Sequence, residues 1–126
     1  MKIAIVDDEI RLYQNLRLFL EELLGDYADI TYFSSGESFL KTWKAESFDL
    51  IILDIFMDGI TGMEVAREVR RTDSEVKIAF GTTSNEFASE SYEVNACYYL
   101  HKPFGAEQVK AMIDRLNLAK LNLSER

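Results

Sequence analysis

Asp7 and Asp8 stand together at the end of a short apolar run, Ile3 to Val6, and Asp54 closes a second run, Leu50 to Leu53. Thr82 lies just beyond a third run, Val76 to Phe80, and Lys102 just beyond a fourth, Cys97 to Leu100. Three carboxylates gathered at one edge of a fold repel one another strongly at the effective dielectric of a protein surface. Such a cluster persists only with a cation among its oxygens or with raised pKa values. A hard divalent ion is the natural partner, and Mg²⁺ uses a few protein oxygens while retaining several waters. Lys102 brings a second positive charge, and Thr82 a hydroxyl that can donate to an oxyanion. A carboxylate nucleophile beside a metal and a lysine suits transfer of a phosphoryl group onto that carboxylate. The cations neutralise the transferring oxygens, and the protein mainly positions the groups.

Each residue also has an ordinary structural reading. An Asp-Asp pair at a strand–helix junction can supply a helix N-cap and a solvated acid. An aspartate closing a strand is common, Thr82 could cap the following helix, and Lys102 could point into water. The two accounts differ in whether these chain positions meet, and that depends on the elements carrying them.

The apolar runs are continuous rather than alternating, as expected for strands covered on both faces of a parallel sheet. Ile30 to Phe33 alternates among more polar neighbours, which fits an edge strand. Helical patterns fill the gaps. Leu12, Leu16, Phe19, Leu20 and Leu23 follow 3.6-residue spacing, with Gly25 as a stop. Phe39, Leu40 and Trp43 follow Ser34-Ser35-Gly36, and Ala66 and Val69 follow Gly62. Phe87, Ser91, Tyr92 and Val94 make a weaker fourth pattern, and Val109, Met112, Ile113 and Leu116 a fifth. Strand and helix alternate five times, which predicts one α/β domain: a parallel five-stranded sheet with helices on both faces and right-handed crossovers. In open sheets of this kind ligands bind outside the carboxyl ends of the strands. Asp7-Asp8, Asp54, Thr82 and Lys102 all fall there, so one shared site is expected.

A chain of 126 residues fits a single domain and can bury a sufficient core without staples. The one cysteine, Cys97, excludes an intrachain disulfide and a four-cysteine zinc site, and reads as a small buried hydrophobe beside a strand. A formal net charge of −8 repels phosphate backbones, so direct nucleic-acid binding by this domain is not expected. The sequence has no apolar run of about 18 residues for a membrane span, and Met1 to Val6 is too short for a secretory signal. A cytoplasmic location is expected. Neither G-x-x-x-x-G-K followed by Ser or Thr nor G-x-G-x-x-G occurs, which removes the common nucleotide-binding loops.

The segments Ile5-Val6-Asp7-Asp8-Glu9, Leu53-Asp54-Ile55-Phe56-Met57, Gly81-Thr82 and Lys102-Pro103-Phe104 resemble, in order and spacing, the signature segments of response-regulator receiver domains of bacterial two-component systems. The resemblance covers essentially the whole chain. It implies a flavodoxin-like (βα)5 doubly wound fold with strand order 2-1-3-4-5. It also implies that Asp54 is the phosphoacceptor, that a sensor histidine kinase donates from a phosphohistidine, and that the domain catalyses only its own phosphorylation and dephosphorylation. Asp8, Asp54 and the backbone carbonyl of Phe56 would hold Mg²⁺ directly and Asp7 through water, while Thr82 and Lys102 contact the phosphoryl oxygens. The Lys102–Pro103 peptide bond is expected to be cis. A switch would pair Thr82 with Tyr99: as Thr82 moves toward the phosphoryl group, Tyr99 turns inward. That would alter the face made by the fourth helix, fifth strand and fifth helix. The alternative is that Tyr99 is a fixed packing residue.

Tyr92 to Phe104 is similar, more narrowly, to receivers of LytTR-type transcriptional regulators, in which a DNA-binding output domain follows. Residues 1–120 are accordingly expected to form the receiver. Residues 121–126 are expected to be a C-terminal tail or the start of a linker to an output domain that the chain does not contain, with a stand-alone regulator as the alternative. Leu116, Leu118, Leu121 and Leu123 make this end more apolar than a terminal helix requires. Linker, homodimer contact and frayed end are all open readings of it.

The chain departs from the family pattern at Asp58, where many receivers have proline. A solvated acid is the simpler reading, in a loop held otherwise by Gly59 and Gly62. Phe56 and Ser84 occupy positions that tune aspartyl-phosphate lifetime in the resembled family, and a bulky Phe56 would shield the acyl phosphate and slow its hydrolysis. His101, the only histidine, reads as structural or solvated rather than as a relay residue. Two rival functions remain. A degenerate receiver acting only as a protein-interaction module should have lost an acid, Thr82 or Lys102, and none is lost. An aspartate-nucleophile phosphatase of the haloacid-dehalogenase type needs a second aspartate two residues after the nucleophile, where this chain has Phe56.

Overall fold

The computed structural model describes residues 1–83 and 86–124, with side chains as far as Leu116. Strands β1 (Lys2–Val6), β2 (Asp29–Phe33), β3 (Leu50–Asp54), β4 (Lys77–Thr82) and β5 (Tyr98–His101) alternate with helices α1 (Ile10–Leu24), α2 (Gly36–Thr42), α3 (Gly62–Arg70), α4 (Ala88–Ser91) and α5 (Ala106–Ser124). The strands form one parallel sheet in the order β2-β1-β3-β4-β5, the flavodoxin-like order. The chain runs from β1 out to β2 and then crosses back to β3. This reversal of direction opens a crevice at the carboxyl ends of β1 and β3.

Successive strand residues point to opposite faces, and in β1 and β3 both sets are apolar. Ile3, Ile5, Leu50 and Ile52 pack with Leu16 and Leu20 of α1 and Met112 and Ile113 of α5. Ala4, Val6, Ile51 and Leu53 pack on the other side with Phe39 of α2 and Val65 and Val69 of α3. Two-sided burial explains why these runs are continuous in the sequence, whereas β2, on the sheet edge, has no fully buried residue.

The helix ends follow local chemistry. Gly25, at φ 56°, ends α1 in a conformation that disfavours side chains. Ser35 caps α2 by accepting from the Ser38 amide, and Thr61 and Glu64 form a reciprocal capping box at the start of α3. Two helices are shorter than their patterns suggest. Helix α2 stops at Thr42, which leaves Trp43 as its C-cap with the indole donating to Thr72 Oγ1 at 3.0 Å. The fourth helix is a single turn followed by turns through Asn95, whose φ of 52° cannot continue a right-handed helix. Buried Val94 anchors this segment in place of a longer apolar stripe. Cys97 sits half-buried just before β5, where burial pushes its thiol pKa up. Ser84 and the side chains of Leu118, Leu121 and Leu123 lie outside the described residues. Among the described residues no helix is long and apolar enough to cross a membrane.

Candidate functional site at the carboxyl ends of β1, β3, β4 and β5

The strand register sets the relative heights of the site residues. Val6 pairs with Leu53, Asp54 with Gly81, and Thr82 with His101, so Asp7 comes level with Asp54. The chain leaving β5 folds back over the sheet. The Lys102 amide donates to the Thr82 carbonyl at 2.6 Å, and the Lys102–Pro103 peptide bond is cis. The Lys102 ammonium donates to Asp7 Oδ2 at 3.0 Å and lies 3.4 Å from Asp54 Oδ1. All three residues are buried, with relative exposures of 7% for Asp7, 4% for Asp54 and 6% for Lys102. Four strand ends remote in sequence therefore meet, and the solvated reading of Lys102 is excluded.

The acids divide into distinct environments. The Asp7 carboxylate accepts from the Glu9 amide through Oδ1 at 2.9 Å and from Lys102 through Oδ2. Neither Asp7 nor Asp8 caps α1; the N-cap is Glu9, whose side chain makes no cap bond. Asp8 is exposed, and its Oδ2 accepts from the Asp58 amide at 3.2 Å. The Asp58 side chain is exposed, so it is the backbone of that residue that reaches the site. Burial first, and the negative charge of Asp7 second, push the Asp54 carboxyl up to about 7 against the pull of Lys102.

Glu9 is a ligand candidate outside the residues singled out from the sequence. Carboxylate oxygens of Asp7, Asp8 and Glu9 lie within 4.8 Å of one another. With Asp54 joined to Asp7 through Lys102, the clustered carboxylates offer hard oxygen donors, the kind that Mg²⁺ takes. Lys102 is the one cation ion-paired to these aspartates among the described residues. Negative charge therefore exceeds positive, and the donor set fits a divalent cation.

The loop between β3 and α3 is held by contacts that sequence spacing does not reveal. The Gly62 amide donates to the Ile55 carbonyl at 3.0 Å, and a Cβ on Gly62 would collide with the Asp54 carbonyl. Gly59 has φ +83° and packs against the Glu37 carboxylate, which accepts from the Ile60 amide at 3.3 Å. Phe56 is 48% exposed and meets Phe87 edge-on at 5.3 Å. Thr82 is fully buried, five residues before Phe87, the N-cap of the single-turn α4, rather than at that cap. Tyr99 is half-buried with its ring 6.5 Å from Phe80; burial raises its pKa, opposed by a hydrogen bond with the Phe87 backbone. His101 is exposed.

Comparison with known proteins gives concordant matches. A family model described as the response regulator receiver domain matches residues 3–114. The sensory transduction protein LytR of Staphylococcus epidermidis is 32% identical over 120 residues, covering 95% of this chain and 47% of that protein. The response regulatory domain of protein mrkE from Klebsiella pneumoniae superposes with a TM-score of 0.80 at 28% identity, over 94% of this chain and 97% of that one. Response regulator protein TrrA from Thermotoga maritima, solved in complex with Mg²⁺-BeF, gives a TM-score of 0.73 at 33% identity, over 91% of this chain and 97% of that one. The chain spans about half the length of the curated relatives it matches.

Proposed function

Because the chain belongs to the family of response regulator receiver domains, we propose that it stores a signal as an aspartyl phosphate on Asp54, donated by a sensor histidine kinase. The observation that carries this reading is the buried Lys102 ammonium held between Asp7 at 3.0 Å and Asp54 at 3.4 Å. The ionised Asp54 carboxylate attacks phosphorus, the phosphorus–nitrogen bond of the donor phosphohistidine breaks, and the leaving imidazole nitrogen takes a proton. Lys102 stays within reach of the carboxylate and of an oxygen of the arriving group, and the Thr82 hydroxyl donates to another. Mg²⁺ bound by Asp8, Asp54 and the Phe56 carbonyl, with Asp7 acting through water, would neutralise the transferring oxygens. That the similar receiver TrrA was solved in complex with Mg²⁺-BeF supports a magnesium ion as the metal.

The output is a change of surface rather than turnover of a metabolite. Thr82 closes β4, and Tyr99 lies on the adjacent strand against Phe80 and the Phe87 backbone, beside the start of α4. Phosphorylation draws Thr82 toward Asp54, Tyr99 turns inward, and the α4–β5–α5 face shifts its population. The LytR relatives, one named a transcriptional regulatory protein, support a LytTR-type DNA-binding output domain beyond this receiver. Residues 1–120 then form the receiver, and 121–126 begin a tail or linker. The domain works in the cytoplasm and touches DNA only through that output.

Intact-mass analysis after incubation with acetyl phosphate and Mg²⁺ tests the reading. An adduct of one phosphoryl mass is expected, absent in Asp54→Ala, together with no turnover of a chromogenic phosphate ester. A wild-type protein without the adduct, or with robust ester turnover, overturns it. Amide NMR spectra of the α4–β5–α5 face unchanged by phosphorylation would remove the switch while leaving the phosphoacceptor.

A further inference from the structure

The backbone of Asp7 is fixed from both sides by β2. Its amide donates to the Phe33 carbonyl at 3.1 Å, and its carbonyl accepts from the Tyr32 phenol at 2.7 Å. With Oδ1 on the Glu9 amide and Oδ2 on Lys102, every polar atom of Asp7 has a partner. Among the described residues, the phenol is the one side chain seen to hydrogen-bond the peptide linking Asp7 to Asp8. The Tyr32 ring is itself fixed. It stacks on Tyr13 of α1 with centroids 4.0 Å apart and planes 19° from parallel. Tyr13 in turn donates its amide to the Glu9 carbonyl at 3.2 Å. The turn carrying Asp7, Asp8 and Glu9 is thus closed at one end by β1, at the other by the first turn of α1, and bridged across by the two stacked tyrosines.

We propose that Tyr32 is a positioning residue for the acidic turn: its phenol, held by the Tyr13 stack, fixes the Asp7 carbonyl and so the direction in which Asp7, Asp8 and Glu9 present their carboxylates to Mg²⁺. This deepens the magnesium reading above and rests on it. Asp8 is exposed and follows the anchored carbonyl directly, so freedom at that peptide passes first to the residue proposed to bind the ion. Groups that orient metal ligands from outside the coordination shell commonly change metal affinity without entering the shell themselves. Tyr32 acts on the turn through the Asp7 carbonyl, to which its phenol donates.

Tyr32→Phe keeps the ring and its stack and deletes only the hydroxyl. Magnesium binding is measured by isothermal titration calorimetry, and acetyl-phosphate labelling as a function of Mg²⁺. The dissociation constant and the half-saturating concentration should both rise about 3- to 10-fold, as expected for one lost hydrogen bond. The labelling rate at saturating Mg²⁺ should return to within about twofold of wild type, because the ligands themselves are intact. In metal-free protein the Glu9 amide, which reports the Asp7 carboxylate position, should exchange about 5-fold faster. A magnesium constant within twofold of wild type overturns the proposal, even if thermal stability falls, since a purely structural tyrosine would lower stability alone. A labelling rate that excess Mg²⁺ does not restore also overturns it. Wild-type protein that neither binds Mg²⁺ nor is labelled defeats the underlying reading instead, and the metal-free exchange rate then decides whether the phenol positions the turn.

Discussion

Asp54→Asn tests the electrostatics of the site without any phosphoryl donor. In metal-free protein the Asp54 carboxyl titrates near 7 in the fold, against 3.8 in the unfolded chain, chiefly from burial and then from Asp7. Between these values the folded state holds a proton that the unfolded state has released. Stability therefore falls as pH rises from about 4 to about 7, and levels off above. At about 1.4 kcal/mol per pKa unit the full effect amounts to about 4 kcal/mol at pH 8. Asparagine has the same shape and no charge, so the variant should be more stable than wild type at pH 8 by up to about 4 kcal/mol. The difference should shrink to about 2 kcal/mol or less at pH 5. Asp73 does not confuse this window. Burial acts to raise its pKa, but the amides of Glu46, Glu75 and Val76 outweigh it and hold the pKa below 3.8, so its contribution is lost only at more acid pH. Urea unfolding in EDTA at pH 5, 6, 7 and 8 measures the difference directly. A stability gap that is flat across this range, or a variant less stable than wild type at pH 8, would refute the assignment of Asp54 as the destabilised acid. Adding Mg²⁺ at pH 8 should stabilise wild type by mass action and the variant less, narrowing the gap.

Gly62→Ala should destabilise by about 1–3 kcal/mol in urea unfolding, because the new methyl meets the Asp54 carbonyl and backbone must shift; it should also lower acetyl-phosphate labelling. Phe39→Ala, at a fully buried ring in contact with Phe33, Trp43 and Phe48, should cost about 3–5 kcal/mol by the same measurement. Phe56→Asn replaces the exposed partner of Phe87 with a small polar group. Its aspartyl phosphate should decay severalfold faster in an intact-mass time course, and an unchanged lifetime would remove the shielding role of Phe56.

The parts of this molecule legible in its sequence are those that burial writes locally. Ile3 to Val6 of β1 and Leu50 to Leu53 of β3 are covered on both faces, so these residues must be apolar, and the first polar residue after each run marks the strand end where Asp7 and Asp54 stand. Strand order was not legible in this way, since five alternations satisfy more than one winding; it followed from the family resemblance and agrees with the observed sheet. The fourth helix was faint because one turn and a buried Val94 leave little periodicity to detect.

What tunes the site was hidden for a different reason. Tyr32 meets Asp7 across 25 positions, Asp58 meets Asp8 across 50, and Glu37 meets Ile60 across 23. In all three contacts one partner is a backbone atom, and a backbone atom is the same in every residue. Sequence can therefore flag a carboxylate at a strand end, but not the donor that will find a carbonyl beside it. Gly62 shows the boundary between the two cases. It is visible as a helix start, yet its reason for being glycine is the Asp54 backbone lying where a side chain would be. The reactive groups of this receiver are thus written in residue types, whereas their aim is set by main-chain geometry. Substitutions at Tyr32, Glu37 and Gly62 should accordingly change how well Asp54 is presented without changing the chemistry it can perform.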